Sequence, residues 1–150
     1  MAYQIRFNKI KGFSLLELLI VIAIFSIFVG MGTSTYYSMR AHTNLELSTG
    51  SLVEAVRFAE SSAQSGKADS QWGVKILTNQ IVIFKGSSYA GRDTSFDNVF
   101  DLSGGVSASG LSEIVFEKVS GATVNTGTIV LTNGTESKNL VVNEKGTVSY

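Results

Sequence analysis

Cysteine and proline are both missing from the 150 residues, and histidine occurs once. Without cysteine there are no disulfides, no thiolate metal sites and no cysteine nucleophile. That leaves the compartment open, because an exported protein can do without disulfides. Without proline, no turn or helix kink can be assigned to a locked φ. Fifteen glycines, most of them beyond residue 60, carry the turning instead. A Ser-His-Asp site would have to use His42, the one histidine, and nothing near it suggests an activated serine. It reads as a polar helix residue. The formal net charge is zero. Beyond Gly32 there are nine Lys and Arg against eleven Asp and Glu, a body near −2 with no basic field for a polyanion. Nucleic acid is not a favoured partner.

What is present in excess is hydrocarbon near the amino terminus. Residues 1–11 form a short leader in which Arg6, Lys9 and Lys11 have no acid among them. Phe13 to Gly32 then gives twenty residues, apolar apart from Ser14, Glu17, Ser26 and two glycines. As a helix these span roughly 30 Å, enough to cross a bilayer core. The basic flank would hold the leader in the cytoplasm and send the rest of the chain outward. A secretory signal peptide has a shorter apolar region of about 7–15 residues and a small-x-small cleavage site. Gly30-Met31-Gly32 is the one weak candidate for such a site. A plain membrane anchor is the other alternative. Neither explains Glu17, since a charge at the centre of a membrane helix costs about 2.5–3.5 kcal/mol on insertion scales.

The stretch Lys11-Gly12-Phe13-Ser14-Leu15-Leu16-Glu17-Leu18-Leu19-Ile20-Val21 resembles the class III signal of type IV pilins and type II secretion pseudopilins. That pattern is a basic leader, Gly, Phe, a small or hydroxyl residue, two apolar residues, Glu and a long apolar helix. The resemblance implies that a prepilin peptidase cuts between Gly12 and Phe13 and that the new terminus on Phe13 is methylated. Residues 1–12 are then a leader, and Glu17 becomes the fifth residue of the mature chain. Glu17 can snorkel to the headgroups unpaired. The sharper expectation is that it pairs with the Phe13 amine of a neighbouring subunit, a strong attraction at low dielectric that would set axial register. The resemblance also departs from the family in one place: the usual helix proline is replaced by Ser34, which puts a carried-over kink in doubt.

Leu45, Leu52, Val56, Ala59 and Ala63 recur at seven, four, three and four, one face of a helix. Glu46, Glu54, Arg57 and Glu60 occupy the other faces, and Glu54–Arg57 is a possible i,i+3 pair. Gly66 reads as the C-cap glycine. The expected division is an apolar membrane or filament-core helix over 13–32, an amphipathic half over 33–65, and a β domain over 66–150. The helix from about 13 to 64 would be roughly 78 Å long.

From Gln71 the period becomes that of strands. Trp72–Thr78 and Ile81–Lys85 flank Asn79-Gln80, a hairpin signal. Val99–Leu102 and Ile114–Val119 read as further strands. Thr128–Thr132 and Asn139–Asn143 flank Asn133-Gly134, the strongest short hairpin signal. Lys145-Gly146 is a turn before Thr147–Tyr150. One long helix followed by a run of strands is α+β, with the amphipathic half of the helix packed on an antiparallel sheet. The runs Ile114-Val115-Phe116, Thr128-Ile129-Val130-Leu131 and Leu140-Val141-Val142, closed by Val142-Asn143-Glu144-Lys145-Gly146, resemble the GspH/FimT group of minor pseudopilins and minor pilins.

Other candidate chemistry is thin. Asp93, Asp97 and Asp101 could offer oxygens to calcium, as a loop does in major pseudopilins of the resembled family. EF-hand spacing is absent, and a solvated loop is preferred. Gly86 to Gly110, rich in Gly, Ser and Asp, predicts a long mobile surface loop. Asn133-Gly134-Thr135 is a glycosylation sequon, though the hairpin turn explains it at least as well. Lys118, Lys138 and Lys145 are interleaved with Glu113, Glu117, Glu136 and Glu144, so a basic stripe is not expected. The expectation is a non-enzymatic subunit without a cofactor or metal. Its partners would be other pilin or pseudopilin subunits, the prepilin peptidase, and inner-membrane lipid before assembly. The resemblance implies a part in protein secretion, or in adhesion, motility or DNA uptake as a minor type IV pilin. An anchored exported ligand-binding domain that never polymerises is the reading from another class.

Overall fold

A computed structural model describes residues 12–149, with side chains described for 12–30 and 36–149. The leader before Gly12, and Tyr150, lie outside the described residues, as do the side chains of Met31, in the alternative cleavage site, and of Ser34. The chain divides into two units between Ser38 and Met39.

One helix, α1 (Leu15–Gln64), enters both units. In the first unit, the large apolar side chains described from Phe13 to Val29 are all exposed, from Val21 at 42% to Phe13 at 83%. A helix that is apolar on every side has no polar face to give to water, so it is a helix to be covered.

In the second unit the same helix has an inside and an outside. Leu45, Leu52, Val56, Ala59 and Ala63 are all buried, as their spacing predicts. Ser48, Thr49 and Ser62 are buried beside them. Thr49 Oγ1 donates to the Leu45 carbonyl at 2.8 Å, and Ser48 Oγ accepts the Ser103 N–H at 3.1 Å, so these polar groups enter the core already satisfied. Gly66 ends the helix with φ +64, and its N–H returns to the Ala63 carbonyl at 3.0 Å. Glycine takes that left-handed turn without the Cβ clash other residues suffer. A 3₁₀ turn at Lys67–Asp69 follows. No ion pair joins Glu54 and Arg57 among the described residues; both side chains stand in solvent.

The strands form two four-stranded antiparallel sheets rather than the one expected. The first contains β1 (Trp72–Ile76), β2 (Gln80–Lys85), β3 (Asp93–Asp101) and β5 (Glu113–Phe116), in the order β3-β2-β1-β5. The second contains β4 (Ser107–Gly110), β6 (Gly127–Thr132), β7 (Ser137–Val142) and β8 (Val148–Ser149), in the order β4-β6-β7-β8. Register puts Val74 opposite both Ile83 and Ile114, and Ile129 opposite Leu140. With period-2 alternation these residues share the inner faces, and they join the helix stripe in one core. Hairpins join β1 to β2 and β6 to β7 as expected, but their tips are Thr78-Asn79 and Gly134-Thr135, each one residue away from the expected Asn79-Gln80 and Asn133-Gly134. Gly146 (φ +80) turns the chain before β8 as expected.

Three expectations are corrected. The segment 86–110 is not one mobile loop: it holds β3, longer than the short Val99–Leu102 strand expected, and β4. Its first part folds over the outer face of β2, where Phe84 is fully buried with its ring 5.7 Å from Tyr89. That cover explains why Ile81-Val82-Ile83-Phe84 is an unbroken apolar run, since both faces of β2 are dry. Gly73 lies opposite Phe84, and a Cβ there would fall 2.5 Å from the Phe84 ring and 2.7 Å from the Ile114 carbonyl oxygen. Finally, β5 stops at Phe116 instead of running to Val119. Val119 turns to φ +72 and gives its N–H to the Ala63 carbonyl at the end of α1, at 2.9 Å.

Candidate functional site

The three predicted site residues are neighbours in one short structure. Gly12 and Phe13 precede the helix, both exposed, and a Cβ on Gly12 would meet nothing within 4 Å. Nothing among the described residues covers the Gly12–Phe13 peptide bond. Ser14 begins the helix. Its carbonyl accepts the Leu18 N–H at 3.1 Å, the first α-helical bond, and its Oγ accepts the Leu16 N–H at 3.2 Å. This is an N-cap, in which a side-chain oxygen satisfies one of the four N–H groups that the first turn leaves without a partner.

Glu17 is the third helical residue, in that same first turn. The helix dipole places partial positive charge there, worth about 0.3–1 kcal/mol to a carboxylate. So Glu17 is not set into uniform hydrocarbon. It stands where an α-helix best tolerates an acid, four residues from Phe13. Reading for charge alone missed Ser14. The signal was present as Ser14-x-x-Glu17, the capping-box spacing just before an apolar run.

The remaining candidates separate. Asp93, Asp97 and Asp101 lie along β3, where four residues span about 13 Å, too far for one cation to bridge. Asp97 takes the Arg92 guanidinium at 2.8 Å, and Asp93 faces Lys85 Nζ at 3.5 Å. Bonds from Ser95 and the charge of Lys85 hold the Asp93 carboxyl below its ordinary range. Among the described residues, no three His, Cys, Asp or Glu side chains converge as metal ligands. Lys118 is bound by Asp69 and Lys138 by Glu46, so two of the three lysines considered for DNA are neutralised.

His42 is more than a polar helix residue. Its Nδ1 lies 2.9 Å from Glu136 Oε2, and its Nε2 lies 3.9 Å from Glu46. The hydrogen bond from Lys138 lowers the Glu46 carboxyl. Asn133 closes the group. Its Nδ2 donates to the Ala41 carbonyl at 3.1 Å, while its Oδ1 accepts the Thr135 and Glu136 N–H groups at 2.9 and 2.7 Å. The clasp fastens the β6–β7 hairpin to the helix. Its partners are more than ninety residues apart, beyond the reach of any local pattern.

Residues 7–33 match the family model of the prokaryotic N-terminal methylation motif. The amino-terminal segment is of the prepilin type. The match spans Lys11-Gly12-Phe13 and Glu17 and ends where the apolar run ends, so it supports a type IV pilin-like protein, a pilus or pseudopilus subunit. A prepilin-type segment implies processing by a prepilin peptidase and assembly with other pilins, and it points to a structural subunit rather than an enzyme. It also suggests membrane anchoring. Among the described residues no helix is long and apolar enough to cross a membrane. No curated protein and no solved structure matches the chain.

Proposed function

We propose that the protein is a minor pilin-like subunit of the GspH/FimT kind. It is cut between Gly12 and Phe13, methylated on Phe13, and assembled into a short filament by its apolar helix. The observation that carries this reading is the prepilin-type motif on a helix whose apolar side chains are exposed all round. Before assembly, residues 13–32 hold the chain once through the inner membrane, with the second unit outside the cytoplasm. After assembly the same side chains bury against neighbouring subunits, exchanging one apolar surrounding for another.

Glu17 gives that exchange direction. Cleavage creates a cation on Phe13, one residue before the N-cap. The pairing proposed is between this amine on one subunit and the Glu17 carboxylate of the next. Within a subunit Glu17 keeps the weaker compensation of its own helix dipole. Between subunits it gains a full charge in a dry surrounding, where an unpaired carboxylate would be penalised. The absence of cysteine favours a part in type II secretion, or a cysteine-free minor pilin, over an adhesive pilin with a disulfide-closed loop. The experiment is incorporation of Glu17→Ala into filaments, with leader removal monitored in the same cells. Normal leader removal with loss of incorporation is expected. Normal incorporation would remove the role given to Glu17.

A further inference from the structure

The chain's one tryptophan sits between two exposed rings. Trp72, at the start of β1, is buried, while Phe58 on α1 is 43% exposed and Phe96 on β3 is 39% exposed. The three rings follow one another edge to face, with centroids 6.4 Å and 6.0 Å apart. Cations stand over this row. Lys67 Nζ lies 4.9 Å from the Phe58 centroid and 5.1 Å from that of Trp72, and Lys85 Nζ lies 4.3 Å from that of Phe96. The two ammonium groups differ in their anions. Lys85 has Asp93 at 3.5 Å. Lys67 has no carboxylate partner among the described residues, because Asp69, the acid nearest to it in sequence, is bound by Lys118.

The backbone that carries Lys67 is held against its own preference. Ala68 and Asp69 both have φ +54, in the left-handed region that L residues avoid because Cβ meets the following carbonyl oxygen. Two contacts keep the turn there. Trp72 Nε1 donates to the Lys67 carbonyl at 2.9 Å, and Asp69 is fixed by Lys118. Strained backbone locked by its surroundings is a feature of ligand clamps. Its result here is a lysine with an anchored root and an ammonium exposed over two rings.

We propose that this patch docks an acidic, apolar segment of another protein, with a carboxylate on Lys67 and an apolar side chain against Phe58 and Phe96. Such docking is independent of whether the chain polymerises. Charge complementarity selects the occupant. A cation without an anion of its own calls for a carboxylate, and the rings beneath Lys67 keep water from one side of it, which strengthens the attraction. The exposed rings beside it call for hydrocarbon next to that carboxylate. Single-stranded nucleic acid would need a track of free cations along its backbone, and Lys85 and Lys118 are already bound to Asp93 and Asp69. A sugar would need rings laid in one plane, and these stand at 83° and 87° to each other.

Because Trp72 is the only tryptophan, its fluorescence reads the patch directly. The probe is a synthetic peptide of alternating aspartate and leucine, titrated into the full chain in an uncharged detergent. A saturable change in Trp72 emission is expected, weaker in affinity by about fivefold for Lys67→Gln, the upper range for a partly exposed ion pair. Lys67→Arg, which keeps the cation, should bind as wild type does, and all three proteins should share one unfolding midpoint. The peptide with asparagine in place of aspartate should bind wild type and Lys67→Gln equally, and the peptide with serine in place of leucine should give no change. No saturable change with the acidic peptide, or equal affinity in Lys67→Gln, overturns the proposal. So does an oligothymidylate that saturates the Trp72 signal at lower concentration than the acidic peptide.

Discussion

Replacing Asn133 by alanine removes three hydrogen bonds at once. Two of them, from the Thr135 and Glu136 N–H groups to Oδ1, shape the hairpin turn. The third, from Nδ2 to the Ala41 carbonyl, ties that turn to α1. A net intramolecular hydrogen bond is worth about 0.5–1.5 kcal/mol, so the set amounts to about 2–3 kcal/mol when partial exposure of the turn is allowed for. For a unit of this size that is a fall of roughly 8–15 °C in thermal midpoint. Asn133→Asp separates the two functions, because it keeps the acceptors of the turn but turns a carboxylate oxygen toward the Ala41 carbonyl. The assay is thermal unfolding of the detergent-solubilised full chain, with amide exchange at Thr135 and Glu136. The alanine variant should lose protection at both amides, and the aspartate variant should keep it yet still be destabilised. An alanine variant within about 0.5 kcal/mol of wild type, the range of ordinary surface substitutions, would refute the clasp as a structural element.

Three further outcomes are expected. Gly73→Ala forces a Cβ against the Phe84 ring and a backbone oxygen, and should cost about 1–3 kcal/mol or more; an unchanged denaturation midpoint would show that the sheet yields there. The Glu46 carboxyl is lowered from its ordinary value of 4.5 by Lys138, so its contribution is present above that pH. It is lost as the pH falls through the lower folded-state value. Side-chain carboxyl NMR should show the Glu46 midpoint rising in Lys138→Met; no change would separate the two residues. In filaments, Glu17→Gln should fail as Glu17→Ala does, because the amide keeps the size and loses the charge. Normal assembly of the glutamine variant would make packing, not pairing, the role of that side chain.

The parts of the fold readable from sequence are those set by local periods. The helix stripe from Leu45 to Ala63 follows 3.6, and each of its five residues is buried. Asn133-Gly134 and Lys145-Gly146 mark turns because few residues reach those backbone angles. The split into two sheets was hidden, since strand pairing across long separations leaves no trace in a window of ten residues. So was the order inside 86–110. Its Gly, Ser and Asp content signals a loop, but Phe84 needs a cover on its outer face and Tyr89 provides it. At the amino terminus, one carboxylate in a largely apolar run of twenty residues drew attention to the segment that the methylation-motif model matches. The Ser14 cap was legible too, as Ser14-x-x-Glu17, but only to a reading that asked how the helix begins.

The most direct test of the filament account is the mass and amino-terminal sequence of the chain recovered from cells that contain a prepilin peptidase. The account predicts a chain that begins at Phe13, carries one added methyl group, and remains uncut when the peptidase is absent. A chain that retains Met1, or one cut near Gly32, would contradict it.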